Sequence, residues 1–237
     1  MGEIREGQPL RCPICGSTNL EVQSKDFIKR VVGLPGETVS LEDGDVYIDG
    51  SIARKPDAVQ RHLWFHVFDS RFMPALEGEP PLFELSSAWR PLTDGAVLEV
   101  DSRGAAEPVM ATYGRPVLDL YAYDGVSYDW SSRRLGIAGR NEVGDCRIRA
   151  RVRLVGPDSA RGEVLLGIDD AGHRFVLSVG AGQGGRAVLY EDDFPVRTAP
   201  AGRLRPDRPA WVTLENYDDR IVARVGGRVV FIYDYEG

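Results

Sequence analysis

The chain has 237 residues and a mass of 26.1 kDa, enough for one large all-β domain or two smaller ones. Its composition, 43% hydrophobic and 27% charged, is that of a globular protein and excludes a disordered chain. The net charge of -7 divides into 15 basic and 23 acidic residues over Met1–Asp145 and 14 basic and 13 acidic over Cys146–Gly237. Neither part has the basic excess of a nucleic-acid partner. No run of about 18 apolar residues occurs. The start, MGEIREGQPLRC, has neither the basic n-region nor the apolar h-region of a signal peptide. The sequence as given therefore reads as soluble and untargeted. An opening so close to a motif, and an ending just after the apolar run in FIYDYEG, read as cut edges, so a fragment of a longer protein is expected.

In chain order, residues 1–24 contain CPICGSTN, half of a zinc ribbon. Cys12 and Cys15 flank a tight turn that can place both sulfurs on one metal, but a tetrahedral structural site needs four ligands. Three readings stay open: a ribbon whose other pair lies upstream, a site completed by distant residues, and an unmetallated thiol pair. The three cysteines, Cys12, Cys15 and Cys146, are odd in number and fit no disulfide framework.

Residues 25–52 hold KDFIKRVVGLPGETV, a strand-like run broken by a glycine and proline turn, followed by GDVYIDG, which alternates like a strand and closes in a turn. Residues 53–116 are irregular, with prolines in RKPD, FMPAL, GEPPLF, WRPL and GRPV, and read as a connection with some strands. In it, His62 and His66 of HLWFH read as polar residues flanking a buried aromatic pair.

From residue 117 onward, short strand-like runs alternate with Gly, Asp and Asn. CRIRARVRL places Cys146, Ile148, Ala150, Val152 and Leu154 on one face and Arg147, Arg149, Arg151 and Arg153 on the other, the arginines on a solvated outer surface. GEVLLGIDDAGHRFVLSVG and AWVTLENYDDRIVARVGGRVVFIYDY read as strand, turn, strand, the second through Gly226-Gly227. His173 beside its glycine turn is expected to be solvent-exposed. The expected fold is mainly β: a β segment at 25–52 joined to an antiparallel sandwich, jelly-roll-like, over 117–237.

The string FIKRVVGLPGETV followed by GDVYIDG resembles the lysine motif region of bacterial signal peptidase I, in which a lysine and an arginine precede a few apolar residues, Gly-Leu-Pro-Gly and an acid. The resemblance implies a membrane-anchored serine endopeptidase that removes signal peptides from exported preproteins on the extracytoplasmic side, using a serine and lysine dyad and no cofactor. Lys29 is then the general base, with Arg30, Gly33, Pro35 and Gly36 as its support. A lysine acts as a base only if its neutral form is populated near neutrality, which apolar neighbours favour by disfavouring the charge.

The chain departs from the family pattern elsewhere. The Ser-Met-x-Pro nucleophile box that should precede the lysine is not found at Ser17 or Ser24, the only serines before Lys29. The last motif is represented by the bare tripeptides Asp69-Ser70-Arg71 and Asp101-Ser102-Arg103. In SRFMPAL the order and spacing of Ser70, Met73 and Pro74 are wrong for the box, so it reads as a loop with an apolar anchor. The chain is thus expected to carry the base without a nucleophile. The alternative is a noncatalytic β-rich module that binds glycan or protein and keeps the motif as scaffold. The C-terminal run DRPAWVTLENYDDRIVARVGGRVVF loosely resembles concanavalin-like and laminin-G-like sandwiches.

Overall fold

The computed structural model describes residues 15–18, 31–42, 44–72, 83–93, 96–114, 116–119, 128–129, 134–135, 141–170, 172–201 and 204–236. Cys12, Lys29, Arg30, Met73 and Pro74 lie outside the described residues. The fold is mainly β, as expected. A three-stranded sheet is formed by β1 (Val39–Glu42), β2 (Asp45–Ile48) and β3 (Ser51–Ile52). Helix α1 (Asp57–Leu63) follows directly after Pro56, whose fixed φ suits a helix entrance. The helix stands where the prolines of this stretch suggest loops and edges. Two-stranded ladders pair β4 (Phe83–Leu85) with β7 (Ala111–Tyr113) and β5 (Trp89–Leu92) with β6 (Val97–Val100). A further ladder pairs β8 (Tyr128–Asp129) with β9 (Arg134–Leu135).

The largest unit is a pair of four-stranded antiparallel sheets. One joins β10 (Cys146–Val152), β15 (Ala210–Asn216), β16 (Arg220–Val225) and β17 (Arg228–Asp234) in that order. The other joins β11 (Glu163–Asp170), β12 (His173–Gly180), β13 (Arg186–Glu191) and β14 (Phe194–Pro200). Alternate residues of both sheets meet in one core: Phe175, Leu177 and Val179 of β12 and Leu189 of β13, with Val212 and Leu214 of β15 and Ile221 and Val225 of β16. This is the burial that period-two patterning dictates for stacked sheets.

Two-residue turns set the register. Asp192-Asp193, Asp218-Asp219 and Gly226-Gly227 all take positive φ at both positions, the twist that matches a right-handed hairpin. Aspartate tolerates this region because its short carboxylate can bond locally.

The face of β15 turned away from the core is not a solvated surface. Thr213 and Glu215 alternate with Val212 and Leu214 and so point outward, yet Glu215 is only 4% exposed. α1 and Trp64 lie over it. Arg224 bridges Glu215 (Nε to Oε2, 3.1 Å) and Asp57 of α1. Arg147 sits 3.8 Å from Glu215 and stacks over the Trp64 ring at 5.1 Å, while Trp64 meets Tyr217 edge-on. The expectation of a solvated arginine row is therefore corrected for Arg147, which is drawn into this covered network. Arg149 does remain exposed, over the Trp211 ring at 4.1 Å.

Two histidine readings change as well. His173 is half-buried, with Nδ1 3.2 Å from Glu191 and 3.3 Å from Asp192 and its ring stacked on Phe175. His62 and His66 flank a half-buried Trp64 and an exposed Phe65 rather than a buried pair.

Because Leu177 and Leu214 are fully buried in facing sheets, Leu177→Ala and Leu214→Ala should each lower stability by about 2–5 kcal/mol. The check is the shift of the urea unfolding midpoint, with Val229→Ala at an exposed position as the control.

Candidate functional site

The motif turn is built by its own residues. Leu34-Pro35-Gly36-Glu37 closes with Glu37 N donating to Leu34 O at 3.1 Å; Pro35 supplies the first central position and Gly36, at φ +94, the second. That is the type II pattern, in which the second central residue must take positive φ. The Glu37 carboxylate accepts from Leu34 N at 2.6 Å and ties the turn from the other side. A Cβ on Gly33 would fall 2.5 Å from Val39 Cγ2, so glycine there permits the close approach of the following strand. These three support residues, Gly33, Pro35 and Gly36, all act on the backbone.

From this turn the chain enters β1, which pairs with β2 in the register Val39 with Ile48 and Leu41 with Val46. Asp49-Gly50, both at positive φ, turns β2 into β3. Asp49 also fixes the hairpin's end, exchanging bonds with Thr38 at 2.8 Å through both its backbone N–H and its carboxylate.

Apolar residues of the motif segment are open to solvent: Val31 is 78% exposed, Val32 71%, Leu34 63% and Leu41 73%. They are uncovered apolar side chains along the motif segment. The base itself, Lys29, and its neighbour Arg30 lie outside the described residues.

One face of β2 and the segment after β3 are bound to the sandwich at the turn between β15 and β16. Asp218, 1% exposed, pairs with Lys55 Nζ and accepts from Lys55 N at 2.8 Å. Arg54 donates to the carbonyl oxygens of Asp218 (3.0 Å) and Asp219 (3.5 Å) and lies 3.9 Å from Asp234. Tyr47, two residues along β2 from Asp45, reaches Asp219 Oδ2 at 3.4 Å. Asp45, Asp145 and Asp218 each place a carboxylate oxygen within 4.8 Å of the others. Asp145 in turn accepts from Asp218 N at 3.2 Å.

This crowding changes the acids. Desolvation, with the charges of Asp145, Asp218 and Asp219 added and Lys55 opposing, pushes Asp45 up to about 7. Asp145 keeps one side open to solvent, but the protein packed around it raises it to about 6 by desolvation, against the pull of Lys55 and the Asp218 N–H. Behind them, Asn216 Nδ2 donates to Asp170 Oδ2 at 2.7 Å and Gly144 O at 3.1 Å, and Tyr235 OH meets the same Asp170 oxygen at 2.7 Å. Desolvation and the Asp170 and Asp145 charges push the Cys146 thiol up to about 12, so it acts as a small apolar side chain. Cys15 is exposed.

The acid cluster was missed in the sequence. Asp45 falls in GDV and Asp218 and Asp219 in NYDDR, where each reads as a turn residue, and their meeting depends on chain segments 173 residues apart. The serine tripeptides are explained locally: Arg71 folds back on Asp69 and Arg103 on Asp101, each with its backbone N–H (3.0 and 3.1 Å) and its guanidinium on one carboxylate. Bonds to Arg71 hold Asp69 down to about 2. Ser70 and Ser102 are the middle residues of two such clamps.

The geometry therefore defines a mainly β protein in which a hairpin that follows a glycine and proline turn is docked on a sandwich. Residues 12–75, about a quarter of the chain, match the family model described as signal peptidase, peptidase S26. The match takes in Cys12 and Cys15, Lys29, the motif turn, the β1–β3 hairpin, α1 and Ser70. No curated protein and no solved structure matches the chain. Among the described residues no helix is long and apolar enough to cross a membrane.

Gly36→Ala forces a Cβ onto a positive-φ residue and should cost about 1–2 kcal/mol, confined to the hairpin. Amide exchange at Thr38 and Asp49 should accelerate while that at Leu177 does not change.

Proposed function

We propose that residues 25–52 are the general-base segment of a signal peptidase of the serine and lysine type, acting on the signal peptides of exported preproteins at the extracytoplasmic face of a membrane. Lys29 is its base, and Arg30, Gly33, Pro35 and Gly36 hold the segment in shape. The observation that carries this reading is the ordered match from Phe27 to Gly50, whose Gly-Leu-Pro-Gly core folds as a type II turn.

In this chemistry the neutral amine of Lys29 takes the proton from a serine hydroxyl as the oxygen attacks the scissile carbonyl, and backbone donors receive the developing oxyanion. The exposed side chains of Val31, Val32, Leu34 and Leu41 supply apolar surface that, once covered by the nucleophile-bearing partner segment and substrate, desolvates the lysine and lowers its pKa. The serine is none of Ser17, Ser24 or Ser70: the first two lack the box, and Ser70 sits within the Asp69–Arg71 clamp. No cofactor is required. The Cys12 and Cys15 pair is a half-site for zinc, with two thiolates and an open coordination sphere.

A second reading is favoured by one observation, the missing serine box in the 237 residues: a noncatalytic β-rich module that binds protein or glycan through its sandwich. Activity separates the two. In the protein expressed from its full gene, Lys29→Met should abolish cleavage of a signal-peptide substrate, with an unchanged unfolding midpoint; undiminished cleavage refutes the role of Lys29. The 237 residues alone should give no turnover in detergent, and cleavage lost in Ser70→Ala would instead assign the nucleophile to Ser70. The same 237 residues should release zinc to a competing chelator, because two thiolates do not close a structural site; stoichiometric, chelator-resistant zinc would show that other residues complete it.

A further inference from the structure

The contact between the motif hairpin and the sandwich has more acid than base at its centre. Asp45 enters it from β2, Asp145 from the residue before β10, and Asp218 from the turn between β15 and β16. Among the described residues, Lys55 is the one cation shown acting on all three: it pairs with Asp218 and also attracts Asp45 and Asp145. The remaining groups at the contact do not balance the charge. Asp219 and Asp170 add further acid beside Asp45 and Asp145, and Tyr47 lies against Asp219. Arg54 is directed at the Asp218 and Asp219 carbonyl oxygens and toward Asp234, which is already bound by Arg220 at 2.6 Å. The Cys146 thiol stays protonated. Closing the contact with every carboxylate ionised thus sets three like charges within 4.8 Å of one another, which disfavours the charged forms.

We propose that the Asp45, Asp145 and Asp218 cluster is a proton-operated latch, which fastens the motif hairpin to the sandwich when protons neutralise Asp45 and Asp145 and loosens as they leave. This inference is independent of the peptidase reading. The sign follows from linkage. Both acids have higher pKa values in the closed contact, about 7 for Asp45 and about 6 for Asp145, than the 3.8 of a free aspartate. Their contribution is complete below about pH 4, falls as pH rises, first with both acids and then with Asp45 alone, and is exhausted above about pH 7. Each carboxylate can change the closing equilibrium by at most about tenfold per pH unit.

The Lys55 amide, which donates to Asp218 across the contact, reports closure directly. Its hydrogen-exchange protection, corrected for the intrinsic pH dependence of exchange and measured with a chelator present, should drop at least about tenfold between about pH 5 and about pH 7 and level off above that. Protection of the core amide of Leu177 should stay constant over the same range. Asp45→Asn should remove the change between about pH 6 and about pH 7, and Asp145→Asn should reduce the slope below about pH 6 to that of Asp45 alone; the two variants guard against one failing to fold. Protection at Lys55 that is flat or rises with pH would overturn the latch. So would profiles unchanged in both variants, or full protection restored by millimolar calcium at about pH 8, which would make the cluster a cation site.

Discussion

Asp218 sits at the point where the two halves of the molecule depend on each other. It occupies a positive-φ position in the turn between β15 and β16, so its backbone sets the register of two core strands, while its buried carboxylate holds Lys55 by both side chain and backbone. A buried carboxylate with one partner removed is costly, commonly about 3–5 kcal/mol, because the charge stays desolvated. The Lys55 end is partly open, which moderates the effect. The sandwich turn and the hairpin dock thus share one residue, and the geometry of each constrains the other.

A second contact, between α1 and the outer face of β15, works by another mechanism. Glu215 is drawn out of water and offset by Arg224, with Arg147 nearby, and Arg224 carries the connection on to Asp57 at the start of the helix. Trp64 supplies the apolar cover, edge-on to Tyr217 and under the Arg147 guanidinium, where a cation over an aromatic face is attracted by the ring quadrupole. Together the two contacts place the stretch from β2 to Trp64 across one sheet and one end of the sandwich. The β1 side of the hairpin and the turn before it carry the uncovered apolar residues, on the same segment as Lys29.

This division has a chemical consequence for the proposed base. Desolvation is what makes a lysine useful near neutrality, and the exposed apolar side chains of the motif segment are surface that a cover can draw on. The rigid parts are the turn, locked by Pro35, Gly36 and the Glu37 bonds, and the hairpin end locked by Asp49. An arrangement of this kind presents a preformed backbone to whatever covers it, which limits the ordering required when the cover arrives.

The sequence by itself determined the local structure. Alternation in CRIRARV, VTLEN and RFVLSVG set strands with one apolar face, Asp-Gly and Gly-Gly pairs set hairpin turns, and Leu-Pro-Gly-Glu set the type II turn, because each rests on sterics or periodicity within a few residues. The same locality made GLPGETV legible as a motif. Only the tertiary structure decided what covers each outward face. Arg147 and Glu215 have the alternation of solvated residues, and nothing near them in the chain announces Trp64 or Arg224. Asp45, Asp145 and Asp218 each read as an ordinary polar residue near a turn, and became a coupled group when strands distant in sequence converged on one end of the sandwich. Pattern reports which way a side chain points; the desolvation and the neighbouring charges that give it a chemical role come from packing.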